Sequence, residues 1–238
     1  MKKIKILSLV AVLFLLPSCS AKHPSSIKAD PEFEPNEIRR ILVAPVISSV
    51  PEGADPNRES EILTRRVLWE NLMERDDYIF ISPQQFRVVL NREIGSSAFA
   101  DFRYGWLRGE GADVKIVRLL KEQLDFDALL LPEVNLWHKD EADYRESGTS
   151  STTQVGMKLY LIDPLSGKVL WEATDGNYLE GVRTEGDRVE VVGSGGYDRR
   201  ISGVTATGKD MYSAPPFESV LVKVVGALVG SIPYHSLK

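Results

Sequence analysis

The chain has 238 residues, 43% hydrophobic and 26% charged, which suits one well-packed globular domain or two small ones and excludes a disordered or a polytopic chain. Its formal net charge of −5 repels nucleic-acid phosphates, whose binding depends on displacing counterions with Lys and Arg, so no nucleic-acid partner is expected. A single cysteine excludes an internal disulfide framework and any cysteine-rich zinc site.

Taken from the start, "MKKIK" is cationic and "ILSLVAVLFLL" (Ile6 to Leu16) is uncharged and apolar. As a helix this run reaches roughly 16 Å, about half the hydrocarbon core of a bilayer. That is too short to span and suits the h-region of a secretory signal. Leu16-Pro17-Ser18-Cys19 follows. It resembles the lipobox of bacterial lipoproteins, with Leu at −3 and a small residue at −1 before the cysteine; Pro17 departs from the usual Ala or Thr. The resemblance implies cleavage after residue 18, diacylation of the Cys19 thiol and acylation of its new amino group. Each buried methylene contributes about 0.8 kcal/mol, so three chains hold a protein at the membrane almost permanently. Loss of Lys2, Lys3 and Lys5 with the signal moves the net charge from −5 to −8. Ser20, where an Asp would imply retention at the inner membrane, implies the outer membrane and its periplasmic face. Residues 19–38, with three prolines and no periodicity, read as a lipidated flexible tether that could extend roughly 60 Å.

Residues 39–238 read as one domain. Ile41 to Val43 with Val46-Ile47 form an apolar strand suited to a sheet covered on both faces. Asp55 to Asp77 is a helix, with Ile62, Val67 or Trp69 and Leu72-Met73 as its apolar positions. "YIFIS" is a strand, and Ser82-Pro83 caps and opens a helix closed by Gly95. Asp113 to Leu124 is a further amphipathic helix, and "DALLLPEVNLW" a buried strand. "TTQVGMKLYLID" turns at "DPLSG" and returns as "KVLWEA", an antiparallel hairpin. Residues 175–213 are polar and hold eight of the 18 glycines, as in a long loop or short edge strands. "PPFESVLVKVVGALVGSIP" is a last helix. The order β-α-β-α-α-β-β-β-α predicts an α/β fold, a single three-layer-like domain with a mixed sheet and an antiparallel hairpin at one side.

A lipobox and proline-dotted tether lead to "ILVAPV", "DALLLPEV" and "LIDPLSGKVLWEA". This succession resembles the family that includes the TolB amino-terminal domain, the penicillin-binding-protein activator lipoprotein LpoB and the curli secretion lipoprotein CsgG. It covers about Arg40 to Glu172 plus the last helix. The resemblance implies envelope proteins that bind other proteins and no catalytic residue to carry over.

The residues themselves offer little chemistry. Of three histidines, His138 alone has acids nearby, Asp140, Glu141 and Asp143, without EF-hand spacing or a second imidazole, so no metal is expected. G-x-S-x-G is absent, and the Gly193-Ser194-Gly195-Gly196 run lacks both the third glycine of a dinucleotide loop and a following helix. No cofactor and no catalytic residue are expected. Two apolar features remain. Phe99, Phe102 and Trp106, with Tyr104 beside them, share a face of a short helix; they either pack on their own domain or form a partner surface. Gly226 and Gly230 form a G-x-x-x-G on the last helix, which either lies on the sheet or pairs with another subunit, making a homo-oligomer possible. The expected role is a lipid-anchored, non-catalytic module that binds another envelope protein. The alternatives are a subunit of a secretion channel, with "DRVEVVG" and "ISGVTAT" as its strands, and a hydrolase built on His138.

Overall fold

At the centre lies a strand with helices on both faces. In the computed structural model, which describes residues 24–141, 151–180 and 214–235 and the backbone of 188–192 and 198–202, Ala128 to Leu131 are completely buried. They begin β5 (Ala128–Asp140), the middle of a seven-stranded mixed sheet. The continuous apolar run is what burial on both faces demands.

The strands in chain order are β1 (Ser26–Ala29), β2 (Arg40–Val43), β3 (Ile47–Ser48), β4 (Ile79–Ile81), β5, β6 (Thr152–Ile162) and β7 (Val169–Glu180). They are arranged β1-β7-β6-β5-β2-β4, with β3 on β5 beyond β2. β2 is parallel to both β4 and β5, while β5, β6, β7 and β1 pair antiparallel. The apolar strand expected at 41–47 is therefore two strands. Ala44 still donates to Leu130, 2.8 Å, but Pro45 has no N–H to continue the ladder.

The period of two sorts side chains between two cores. Ile41, Val43, Leu130, Val155 and Leu159 face α1 (Glu59–Met73) and α5 (Phe217–Ser231). Leu42, Leu129, Leu131 and Ile162 face α2 (Pro83–Glu93), α3 (Ala98–Leu107) and α4 (Val114–Leu124). The three-layer reading holds, with α3 as a helix beyond the predicted order. Ser82 caps α2 as expected, accepting from Gln85 N at 3.4 Å.

Two glycines fix the sheet's geometry. The β5–β6 register shifts between Val134 and Leu136, placing Trp137 on the same face as Val134. Opposite this bulge, a Cβ on Gly156 would lie 2.8 Å from Asn135 Oδ1 and 2.9 Å from Leu136 Cβ. In the β6–β7 turn, Gly167 has φ +73°, and a Cβ there would meet Val114 Cγ2 at 2.6 Å. Asp163 closes this turn by accepting from the amides of Leu165 and Ser166.

Two expectations are corrected. The tether predicted over 19–38 is not free from Ser26 onward: β1 pairs with β7 from Ser26 opposite Thr174 to Ala29 opposite Trp171, Pro35–Glu37 is a 3-10 turn, and Ile38 enters the core. Prolines suggested a linker, but β7 offers an edge whose hydrogen bonds this polar segment satisfies. On α1, Ile62 faces outward, 54% exposed, while Ser60, Thr64, Val67, Leu68 and Leu72 face the core. Two buried hydroxyls disguise the helix's inner stripe. Within 175–213, β7 extends to Glu180, and β8 (Arg188–Val192) and β9 (Asp198–Ser202) pair antiparallel as a separate two-stranded sheet; the rest lies outside the described residues.

The last helix is fastened at both ends. Phe217 stacks on Trp137 with ring centroids 4.1 Å apart, and Thr153 Oγ1 donates to Pro215 O at 2.5 Å. At its carboxyl end Arg75 donates to the carbonyls of Val229 and Ile232, at 2.7 and 2.9 Å. Asp77 holds that guanidinium in place, and Tyr78 Oη donates to Pro233 O at 2.5 Å.

Candidate functional site at the carboxyl ends of the parallel strands

Chain direction opens a crevice at one end of the sheet. β2 leads to α1 on one face, whereas its neighbour β4 leads to α2 on the other. Where adjacent parallel strands send their following helices to opposite faces, the loops part and leave a binding crevice. A groove of about 700 Å³ lies there. Pro45 and Val46 reach it from the loop after β2, Ser82 to Gln84 and Arg87 from the start of α2, Asn57 and Arg58 from the turn before α1, and the remainder from α1 itself.

The lining is cationic. Arg58, Arg65, Arg66 and Arg87 stand against Glu61 and Glu70. Glu61 is already engaged by Arg58 at 3.7 Å and by Arg103 at 3.3 Å, and Arg66 reaches Glu218 of α5 at 2.8 Å. The Arg87 guanidinium lies 5.0 Å from the Phe99 ring centroid. Among the described residues neither Arg65 nor Arg87 has a carboxylate partner within ion-pair distance. Exposed Ile62 and half-buried Trp69 interrupt the charge with apolar surface.

The groove's rim is conformationally unusual. Arg58 has φ 53° and ψ 34°, the left-handed region, which costs a residue with a Cβ about 1–2 kcal/mol. Buried Asp55 holds it there. Its carboxylate accepts from Glu59 N at 2.7 Å and Ser60 N at 3.1 Å, and Arg58 N donates to its carbonyl at 3.1 Å. The Ser60 hydroxyl donates to Asp55 at 2.5 Å and lies 3.1 Å from Ser48 Oγ. The first turn of α1 is thereby tied to β3.

On the second face, Glu133 collects three donors: Ser49 Oγ at 3.0 Å, Trp106 Nε1 at 3.0 Å and Tyr160 Oη at 3.2 Å. Burial, with the charges of Glu133 and Glu172, pushes the Tyr160 hydroxyl above its ordinary value. The arrangement keeps Glu133 as an acceptor within a packed polar cluster.

The sequence-derived sites are dispersed by the fold. Phe102 is 2% exposed and belongs to the core, while half-buried Phe99 packs edge-on against Phe86. Trp106 packs on Tyr160 at 4.8 Å. Tyr104, 58% exposed, is the surface-facing member of the set. Gly226 and Gly230 lie on the outward side of α5, where a Cβ on Gly226 would come 3.9 Å from Asn71 Oδ1 and one on Gly230 would meet open space. His138 is exposed near the end of β5. Among the described residues no three His, Cys, Asp or Glu side chains gather as a metal site. Cys19, Asp143 and Gly193 to Gly196 lie outside the described residues. The arginine groove was not anticipated. Arg65 and Arg66 are neighbours on α1 and Arg58 stands at its N-cap, a cluster legible in the sequence, but Arg87 joins them through the fold.

No protein-family model matches the sequence, and no characterised protein does. Among solved structures the chain is similar to lipoprotein GNA1162 from Neisseria meningitidis, at 19% identity over 60% of this chain and 83% of that one, TM-score 0.44. It is similar to the PelC dodecamer from Paraburkholderia phytofirmans, at 12% identity over 87% and 94%, TM-score 0.39, and to the LpoB C-terminal domain from Escherichia coli, at 12% over 58% and 82%, TM-score 0.32. Likenesses of this strength transfer no function to the chain.

Proposed function

We propose that this chain is an envelope lipoprotein, acylated on Cys19 and facing the periplasm from the outer membrane, that binds or scaffolds another envelope protein without catalysing a reaction. The observation that carries the binding role is the lining of the switch-point groove. Guanidinium groups stay protonated at any physiological pH and cannot shuttle protons. Guanidinium forks of this kind, beside exposed Ile62 and half-buried Trp69, suit recognition of a partner.

The anchor rests on the Leu16-Pro17-Ser18-Cys19 sequence. Among the described residues no helix is long and apolar enough to cross a membrane. With β1 laid on the sheet from Ser26, the leash from Cys19 to Ser25 spans at most about 20 Å. The domain is then held close to the lipid by its β1 edge. A channel-subunit role is less well supported. Tilted membrane strands need about 9–11 residues, and β8 and β9 have five each.

The test is isolation of the full tagged chain from crosslinked cells that make it natively, beside a Cys19→Ser variant. An envelope protein recovered at near-equal amount with the native chain and depleted with the variant is the expected result. Recovery of no envelope protein above a tag-only control would contradict the role.

A further inference from the structure

We infer that the arginine groove docks an acidic segment of a partner protein, one that carries a bulky apolar side chain among its carboxylates. This rests on the protein-binding reading above and assigns its surface and the partner's chemistry. The groove reverses the sign of the molecule. The whole chain carries −5, whereas the lining sets four arginines against two glutamates. Arg65 of α1 and Arg87 of α2 both line it, without a carboxylate partner among the described residues. Guanidinium forks pair carboxylates bidentately, which suits Asp and Glu side chains in a chain segment. The amino end of α2, opening at Ser82, adds the partial positive charge of its aligned peptides.

Exposed Ile62 and half-buried Trp69 leave an apolar strip among those charges. A purely anionic ligand would leave that strip unfilled; a segment with one aromatic or branched side chain covers it, and such anchors dominate interface energetics. The leash enters at β1, and the groove adjoins β4, the opposite edge of the sheet. Five strand spacings separate those edges, about 24 Å, while Ser26, level with Glu133 and Ile47 in the register, leaves β1 at the same end of the sheet as the groove.

The test places a photo-crosslinking amino acid at Ile62, whose exposure tolerates replacement, in the full lipidated chain in its native cells. A second chain carries it at Lys223, on the outward side of α5. Mass spectrometry reads the composition of whatever is attached. The expected product at Ile62 is a protein segment with several Asp or Glu residues around an apolar one, and Arg65→Glu with Arg87→Glu lowers its yield by about tenfold or more. A phospholipid adduct, a neutral or basic segment, or a yield unchanged by charge reversal in a variant of native circular dichroism overturns the inference. Crosslinking to a protein from Lys223 but not from Ile62 overturns the groove assignment and leaves the binding role standing. No protein product from either position removes both.

Discussion

Thr64 is an awkward residue in the interior. It is fully buried between α1 and the sheet, and among the described residues its hydroxyl has no hydrogen-bond partner. A desolvated hydroxyl without a partner opposes folding, whereas an isosteric methyl does not. Thr64→Val is therefore expected to stabilise the protein by about 1 kcal/mol, read as a higher denaturant midpoint at unchanged m-value. The opposite sign applies at Gly156, where Asn135 and Leu136 occupy the space a methyl would need. Backbone at a bulge cannot move aside cheaply, so Gly156→Ala should lower stability by about 1–3 kcal/mol in the same measurement. The sequence marks both positions poorly. Thr64 reads as a polar helix residue and Gly156 as a flexible strand residue, because their constraints come from elements distant along the chain.

At the scale of elements, the carboxyl end of α5 depends on a pair of residues from the other end of the domain. Arg75 and Asp77 are 9% and 8% exposed in their side chains, and together they present donors to carbonyls that a helix end leaves unpaired. Arg75→Ala leaves a buried carboxylate and those carbonyls unpaired, for an expected loss of about 3–5 kcal/mol by chemical unfolding. The pH profile carries the same signature. Burial works to raise the Asp77 carboxyl, but the hydrogen bonds and charge of Arg75, with the His235 amide, outweigh it and hold the group below its ordinary 3.8. A folded value below the unfolded one stabilises the protein above pH 3.8, and that contribution fades as pH falls through the folded value. Asp77→Asn should flatten the acid limb of the stability profile. On the alkaline side, burial and the charge of Asp77 push the Tyr78 hydroxyl up to about 12. Its contribution is complete below the ordinary 10 and is lost as pH rises toward 12; Tyr78→Phe removes that dependence.

Elements were far more legible than sites. Uninterrupted apolar runs at 41–43 and 128–131 announce strands covered on both faces, and Ser82-Pro83 and Asp113 announce helix starts that the structure matches. These signals are local. What escaped is non-local: β1 exists because β7 has a free edge, the inner stripe of α1 is half hydroxyl, and the groove needs α1 and α2 to diverge from adjacent strands. The aromatic cluster misled for a related reason. Phe102 and Phe86 fill the second core, and ring-rich helices look alike whether they face a partner or their own sheet.

For the whole molecule, the proposed anchor at Cys19 lies seven residues before the first strand, which begins at Ser26. Acyl chains on Cys19 would place the β1 edge near lipid, with the cationic groove beside the opposite edge of the sheet. Replacing Cys19 should leave the domain folded, since β1 begins beyond it, at Ser26. The most direct measurement is intact-mass and peptide mass spectrometry of the chain purified from its native membranes. The account predicts a mature protein that begins at Cys19 and carries a diacylglyceryl thioether and an amide-linked fatty acid. A free Cys19 thiol, or an amino terminus at another residue, would contradict it.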